Sequence, residues 1–561
     1  MKSREQADLY SKHLSDSLIW GFSPGGEKLG RWLLLHLARQ AQRGHLRTDL
    51  SRLELEMKEW LSSLENSEET AESISRQMAD ELESLISLGE KNGLIARLAE
   101  PESPAGLLEK PRPPLVLSSD GRYLYFLRRR KVEDSLLEKF EIRSRRASSV
   151  NELYTRTDRK TAATANSGRD AAAALLDKLA SGLRLILLSG GPGTGKTTAI
   201  VNLLNFLDHS KIKVVLTAPT GRAAARITEG LSGRIDTDRG LLGQTIQSLL
   251  EMAPNREPRR NADNPIAANL VIVDEVSMVD VALMNQLLDA LPGTAPLILA
   301  GDPNQLPSVE SGALFADLLA GAREAESDDR RGPLREAVLI LEKTYRSDRA
   351  ILDAAAAIRE GDEESLRIAF EVNETLTWHK MVKSSEMAAR MIAKKYEKLS
   401  DFSELSVLSP LRRGPWSVPE LNDRISRIIG GKTAPFEGMP LMIIRNDASR
   451  NLWNGDRGSI VLRKGRCWAR IGNEGREFPL AALPEWEPAW VQTIHKSQGS
   501  EFDEVVVILP QGTEFPREIL YTAITRAKKR MSLFAEHAVI KTILARRVSR
   551  NSRIRNWAAA A

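Results

Sequence analysis

Unbroken apolar runs alternate with stretches of helical period from about residue 170 to residue 345. The runs are Leu185-Ile186-Leu187-Leu188, Val214-Val215-Leu216, Leu270-Val271-Ile272-Val273 and Leu297-Ile298-Leu299-Ala300. A strand with no polar alternation is buried on both faces, so the pattern predicts an α/β domain with a parallel sheet covered by helices on both sides. The same alternation resumes at about 346 and runs to the end. It is interrupted at 432–489 by short Gly-rich strand patterns such as Leu441-Met442-Ile443-Ile444 and Ser459-Ile460-Val461-Leu462. That interruption predicts a small β-barrel inserted in a second α/β domain. Residues 1–110 carry apolar positions at helical spacing through Leu14, Leu18, Trp32, Leu35, Leu50, Leu53, Leu55, Trp60 and Leu61, which predicts a helical domain. Pro101, Pro104, Pro111, Pro113 and Pro114 mark its end. Leu115-Val116-Leu117 and Tyr123-Leu124-Tyr125-Phe126-Leu127 read as strands around the Asp120-Gly121 turn. The expected partition is 1–110 helical, 115–345 first α/β domain, 346–431 with 490–561 second, and 432–489 the inserted barrel.

Composition narrows the class. With 561 residues, 42% hydrophobic and 28% charged, the chain can bury several cores and is not a disordered one. Its net charge of +5 permits nucleic-acid binding without demanding it. The distribution says more than the total. Acids dominate between Glu54 and Glu100, as on a solvated helix face or a subunit-docking module. From Arg526 to the end, ten Lys and Arg stand against one acid, Glu536, a balance that could suit nucleic acid. A single cysteine, Cys467, excludes a disulfide framework and a Cys-based zinc site within the chain. The first residues lack a signal-peptide core, and no apolar stretch approaches the ~20 residues that span a bilayer. A cytoplasmic protein with no membrane contact is the expectation.

The chemistry is carried by Gly190-Gly191-Pro192-Gly193-Thr194-Gly195-Lys196-Thr197, with Thr198 beyond it. It fits G-x-x-x-x-G-K-[ST] and lies between a strand and a helical run, where the glycines let backbone N–H groups turn toward phosphate oxygens. The helix N-terminus adds partial positive charge. Lys196 is expected to bridge the β- and γ-phosphates, and Thr197 to ligate Mg²⁺. Val271-Ile272-Val273-Asp274-Glu275 is the partner signal: Asp274 for the metal and Glu275 to orient or deprotonate the attacking water. Together these imply hydrolysis of a nucleoside triphosphate with Mg²⁺.

A phosphate loop alone does not separate a motor from a switch. The further runs do: Thr217-Ala218-Pro219-Thr220-Gly221-Arg222-Ala223-Ala224, then Gly301-Asp302-Pro303-Asn304-Gln305-Leu306-Pro307-Ser308-Val309, then Leu341-Glu342-Lys343-Thr344-Tyr345-Arg346. The second domain supplies Val491-Gln492-Thr493-Ile494-His495-Lys496-Ser497-Gln498-Gly499-Ser500-Glu501-Phe502 and Leu520-Tyr521-Thr522-Ala523-Ile524-Thr525-Arg526-Ala527-Lys528. This ordered set resembles the superfamily 1 DNA helicases, and within them the RecD family, the alpha subunits of bacterial exodeoxyribonuclease V. Asn454-Gly455-Asp456 with Gly458, and Gly44-His45-Leu46, are RecD-like as well. The resemblance covers most of 115–535 and is loose over 1–110.

What the resemblance implies is specific. The fold would be two RecA-like domains around ATP, with the insert Src-homology-3-like. Gln305 would sense the γ-phosphate, and Arg346 and Arg526 would reach it across the interdomain cleft. Pro219, Thr220, Gly221, Arg222, Thr493 and His495 would grip phosphates of single-stranded DNA without reading sequence. The chain would move 5′→3′ from a duplex end, in a heterotrimer with RecB-like and RecC-like subunits. Residues 1–110 would dock to those partners. The stretch from Ser167 to Gly182 lacks the Gln that such helicases carry upstream of the loop to read adenine. Gln247 stands where RecD-like chains often have His, and Trp416-Ser417-Val418 replaces a common Gly. The competing reading is a P-loop scaffold whose ATP site regulates assembly.

Overall fold

The computed structural model describes residues 27–53, parts of 82–98, 114–146, 167–207, 211–231, 243–327 without 254–255, 332–344, 348–399, 404–430 and most of 435–560. Arg346 and the acidic stretch from 54 lie largely outside the described residues, as do four of the five prolines of the expected boundary.

Near the N-terminus the structure departs from the helical expectation. After the helix Glu27–Gln42, β1 (Thr48–Asp49), β2 (Ile95–Arg97), β3 (Leu115–Leu117) and β4 (Tyr123–Phe126) form one four-stranded sheet, in the order β1-β4-β3-β2. Leu33, Leu34 and Leu37 of the helix share a core with Leu50, Ile95, Leu115, Leu117 and Leu124. The strands at 115–126 therefore belong with the N-terminal residues and not with the first motor sheet, which corrects the expected start at 115. A proline cluster signals a break in local structure; which sheet the next strand joins is a matter of long-range pairing. The helix Leu127–Ser144 then leads to the motor, burying Leu136 and Phe140 in its core.

The first motor sheet holds β5 (Leu185–Gly190), β6 (Val214–Ala218), β7 (Gln244–Thr245), β8 (Leu270–Val273), β9 (Leu297–Gly301) and β10 (Val338–Leu341). All pairings are parallel, in the order β10-β5-β9-β8-β6-β7. Two apolar cores, one on each face, cover it. Parallel strands share one C-terminal edge, so the loops after β5, β9, β8 and β6 emerge side by side.

The second sheet includes β11 (Leu376–His379) and β12 (Leu405–Ser409). The insert follows as β13 (Pro440–Ile443), β14 (Arg457–Arg463), β15 (Arg466–Ile471), β16 (Arg476–Pro479) and β17 (Trp486–Pro488). It is an antiparallel sheet in the order β16-β15-β14-β13-β17, standing where the small barrel was expected. The chain then returns through β18 (Val491–Thr493), β19 (Phe502–Leu509) and β20 (Ala527–Ala535), giving a parallel sheet ordered β11-β20-β19-β12-β18. Trp490 at this return is fully buried, its indole N–H donating to Ser426 Oγ at 2.9 Å.

The end of the chain makes a second departure. The helix Ile554–Ala559 leaves the second motor domain and packs on the helix Leu314–Ser327 of the first. Gly321 permits the approach: a Cβ there would lie 2.3 Å from Arg555 O. Ile554 and Ala558 are part of the first domain's core. The last residues of 490–561 are thus structurally the first domain's. No helix among the described residues is long and apolar enough to cross a membrane.

Candidate nucleotide cleft

The loop after β5 turns through Gly193 and Gly195, with φ of +73° and +90°, a left-handed conformation that costs glycine little. Gly195 sets the start of the helix Lys196–Asn205. Lys196 Nζ donates to Gly190 O at 2.6 Å and Gly191 O at 3.0 Å, and so curls over the loop. Thr194 Oγ1 donates back to Gly191 O at 2.8 Å. The loop is therefore held by its own side chains in the shape that presents its N–H groups.

Asp274 and Glu275 leave β8 beside it. Thr197 Oγ1 lies 3.3 Å from Asp274 Oδ2, while Asp274 Oδ1 accepts from the Glu275 N–H at 2.8 Å. Burial pushes the Asp274 carboxyl up to about 6, and the neighbouring Glu275 charge adds to this; Lys196 opposes both. Glu275 has φ of +52°, a rare conformation for a residue with a side chain, and its Oε2 is buried without a hydrogen-bond partner. Glu275 thus combines an uncommon backbone conformation with an unsatisfied buried oxygen.

The loop after β9 adds Asp302 and Gln305, both buried. Asp302 Oδ2 accepts from Tyr521 OH at 3.0 Å and from Gln305 Nε2 at 3.4 Å. Gln305 Oε1 has no partner. From the second domain comes Arg526, almost wholly buried, donating to Thr522 O, Ser500 O and Thr525 Oγ1 at 3.1, 3.2 and 3.3 Å. Burial lowers its guanidinium from the usual range, and the carboxylates Glu275 and Glu501 partly restore it.

The structure thus brings Pro192, Gly193, Gly195, Lys196, Thr197, Asp274, Glu275, Gln305 and Arg526 together along one cleft. Two more residues line it to which the sequence reading gives no role. Arg226, on the helix Gly221–Leu231, donates to Glu501 Oε1 at 2.7 Å and to Gly499 O at 3.4 Å. Burial works against the Arg226 charge, but Glu501 outweighs it and holds the guanidinium above its ordinary value. The pair crosses from the first motor domain to the second. Arg226 stands one helical turn past Arg222, which is the local signal that could have found it.

The residues expected to grip DNA form a different set. Thr220 Oγ1 accepts from the Ala223 N–H at 3.2 Å, and Thr493 Oγ1 from the Lys496 N–H at 3.2 Å. Both hydroxyls cap turns. Gly221 lies under Trp453 of the insert, where a Cβ would meet the Trp453 Cβ at 2.6 Å. Arg222 Nη1 donates to Gly455 O of the insert at 3.3 Å. Burial, with Arg457 nearby, brings the Arg222 guanidinium down to about 10. His495 is half-buried, and burial lowers its imidazole below the usual value. Gly221 and Arg222 therefore meet the insert's Trp453–Gly455 turn.

The basic C-terminal stretch is spent on internal partners: Lys529 pairs with Asp503, Arg530 with Glu504, Arg547 with Glu518, Arg553 with Asp134 and Arg555 with Glu324. Of these, Lys529, Arg530, Arg547 and Arg555 remain more than half exposed at the side chain although each is paired.

The chain is similar to known proteins over much of its length. Residues 173–311 match the AAA domain family, and residues 488–534 match the UvrD-like helicase C-terminal domain family. The RecBCD enzyme subunit RecD of Mycolicibacterium smegmatis is 34% identical over 416 residues, covering 67% of this chain and 73% of that protein. The Haemophilus influenzae RecBCD enzyme subunit RecD is 30% identical, over 65% of this chain and 69% of its own length. The ATP-dependent RecD2 DNA helicase of Deinococcus radiodurans is 31% identical, over 64% of this chain and 48% of its own. Among solved structures, Pif1 helicase from Bacteroides in complex with ADP-AlF3 and ssDNA covers 66% of this chain at 19% identity and a TM-score of 0.40. A cleft lined from two parallel sheets, motifs in the helicase order, and relatives of this extent lead to one assignment: the chain belongs to the RecD family of superfamily 1 ATP-dependent helicases.

Proposed function

We propose that this chain is the 5′→3′ DNA-translocating subunit of a RecBCD-type complex, working in the cytoplasm on single-stranded DNA at a duplex end with RecB-like and RecC-like partners. The observation that carries the motor reading is the meeting of Gln305 and Arg526, from opposite sheets, in the cleft that holds Lys196. A scaffold has no need of groups from both domains at one phosphate site. The Deinococcus radiodurans relative is a DNA helicase by name, which also disfavours the scaffold reading.

In this reading the P-loop amides and Lys196 bind the phosphates. Thr197 and Asp274 would hold Mg²⁺, and their oxygens, 3.3 Å apart, suit a hard cation. The ion would neutralise charge developing on the phosphates. Glu275 orients and deprotonates the attacking water. Gln305 turns its free amide oxygen toward the γ-phosphate, and Arg526 stabilises transition-state charge, with Arg346 as the second such arginine. Pro219, Thr220, Gly221, Arg222, Thr493 and His495 contact the DNA backbone through turn amides and side chains. Residues 1–110 dock to the partner subunits. Cleft closure on ATP and opening after hydrolysis then shift one domain's grip relative to the other's.

The test is ATP hydrolysis and strand separation by the full chain, alone and with co-expressed partner subunits, on duplexes bearing a 5′ or a 3′ single-stranded tail. Hydrolysis should rise with DNA and vanish in Lys196→Gln, and unwinding should require the 5′ tail. ATP binding with no DNA stimulation, even in the assembled complex, would return the scaffold reading.

A further inference from the structure

After the helix His537–Ala545, the chain crosses from the second motor domain to the first within a few residues. Arg546 O accepts from the Arg517 N–H at 2.9 Å, and the Val548 N–H donates to Glu518 Oε2 at 3.1 Å; both partners belong to the second domain. Two residues later every bond goes elsewhere. Arg550 Nη1 donates to Glu310 O at 2.5 Å and Gly312 O at 2.6 Å, and Nη2 to Ser308 O at 2.7 Å. Asn551 O accepts from the Leu46 N–H, Ser552 Oγ donates to Asp317, and the Arg553 N–H donates to Glu133. Ser549 alone separates the two sets. Two extended residues span at most ~7 Å, so there is little slack between the two sets of bonds, and a shift of the second domain is passed along the strap.

The three carbonyls that Arg550 gathers belong to the loop that begins at Asp302 and carries Gln305. The cleft side of that loop is held by the second domain as well. The Leu306 N–H donates to Thr522 Oγ1 at 2.9 Å, Gln498 Nε2 donates to Leu306 O at 2.9 Å, and Tyr521 OH binds Asp302. Gln305 is therefore flanked by cleft-wall fastenings at Asp302 and Leu306, and the C-terminal strap fastens the next stretch of the same loop, from Ser308 to Gly312. Behind the guanidinium lies Gly44, with φ of +87°; a Cβ there would fall 2.7 Å from Arg550 Cζ. Gly312 N–H also donates to Gly44 O at 2.8 Å. The RecD-like Gly44-His45-Leu46 thus forms the seat in which this arginine rests.

We propose that Arg550 is a positioning residue for hydrolysis: it fastens the strap from the second motor domain to the loop of Gln305, so that domain movement sets the placement of that side chain. The proposal rests on the reading of Gln305 as the γ-phosphate sensor. A bond network at the end of the chain would then tune the rate of chemistry without touching the nucleotide.

DNA-stimulated ATP hydrolysis by the full chain tests it, with kcat and KM measured separately. Arg550→Ala should lower kcat about tenfold while KM stays within about twofold, because the phosphate loop is untouched. Arg550→Lys, which keeps the charge but not the three-way fork, should recover part of the rate. Gly44→Ala, which presses on the same guanidinium from the other side, should reproduce the kcat loss. A merely structural arginine would lower the melting temperature and leave kcat of the folded fraction unchanged; that result overturns the proposal. If Arg550→Ala does not fold, wild-type kcat in both Gly44→Ala and Arg550→Lys overturns it equally. Gln305→Ala separates the two levels. If it leaves kcat unchanged, the sensor reading fails; if it lowers kcat and the Arg550 variants do not, only the strap inference fails.

Discussion

Replacing Asp274 by Asn should make the nucleotide-free protein more stable while ending hydrolysis. Asp274 is 5% exposed and flanked by Glu275, and its carboxyl is raised from 3.8 to about 6. At ~1.4 kcal/mol per pH unit, that displacement means the folded state bears up to about 3 kcal/mol for keeping the group ionised at neutral pH. Glu275 shares the interaction, so roughly 1–3 kcal/mol should return on substitution. Asn keeps an oxygen for the Glu275 N–H, now at 2.8 Å, and so removes the charge without orphaning that donor. The sign follows from linkage. With its folded value above its unfolded one, this group favours folding most below pH ~4, and the contribution is lost as pH rises through about 6. Thermal unfolding of the nucleotide-free chain from pH 4 to pH 8 is the assay. The substituted chain should melt about 1–3 °C higher at pH 7.5, a gain that shrinks toward pH 5 and disappears near pH 4. Mg²⁺ with ADP should reverse the order, stabilising the unsubstituted chain more. A substituted chain that melts lower at pH 7.5 without nucleotide would refute the claim that burial of this charge is costly.

Arg526→Ala should cut kcat by about a thousandfold while nucleotide binding, followed by a fluorescent ATP analogue, persists; loss of binding instead would make it a structural residue. Gly221→Ala drives a Cβ to within 2.6 Å of the Trp453 Cβ and should pry the insert from the first motor domain, weakening single-stranded DNA affinity more than basal ATP hydrolysis. Gly321→Ala should destabilise the fold by about 1–3 kcal/mol, since its methyl would meet Arg555 O at 2.3 Å, and chemical denaturation measures it. Breaking the Arg226–Glu501 pair with Arg226→Ala should change KM for ATP, and a double-mutant cycle with Glu501→Gln should show coupling; additive effects would make the contact incidental.

Much of the cleft is legible in the chain because its parts are local. A phosphate loop is eight consecutive residues, and the strand before it and the helix after it are adjacent in sequence. The acids after Val273 and the run through Gln305 follow unbroken apolar strands of the same kind. Arg226 and Glu501 escape a sequence reading because neither means anything without the other, and they stand in different domains. That the Thr220 and Thr493 hydroxyls also accept from turn N–H groups is visible only once the strand ends are built.

The N-terminal sheet and the C-terminal strap are hidden for a deeper reason. Residues 48–49 and 123–124 pair across a long separation, and nothing in two strand residues announces a partner. The ten basic residues from Arg526 onward read as a cationic tail, yet Arg553 finds Asp134 at a separation of 419 positions. Composition counts those residues; which of them also meet an internal partner only the fold decides.

Sequence alone determined the class of chemistry, the order of the motifs and the two parallel sheets, because phosphate binding and strand burial are written in short contiguous patterns. Tertiary structure alone decided which charges are free, which strands share a sheet and how the chain's end returns to the loop of Gln305. Those outcomes depend on burial and on partners hundreds of residues away, which no local pattern encodes.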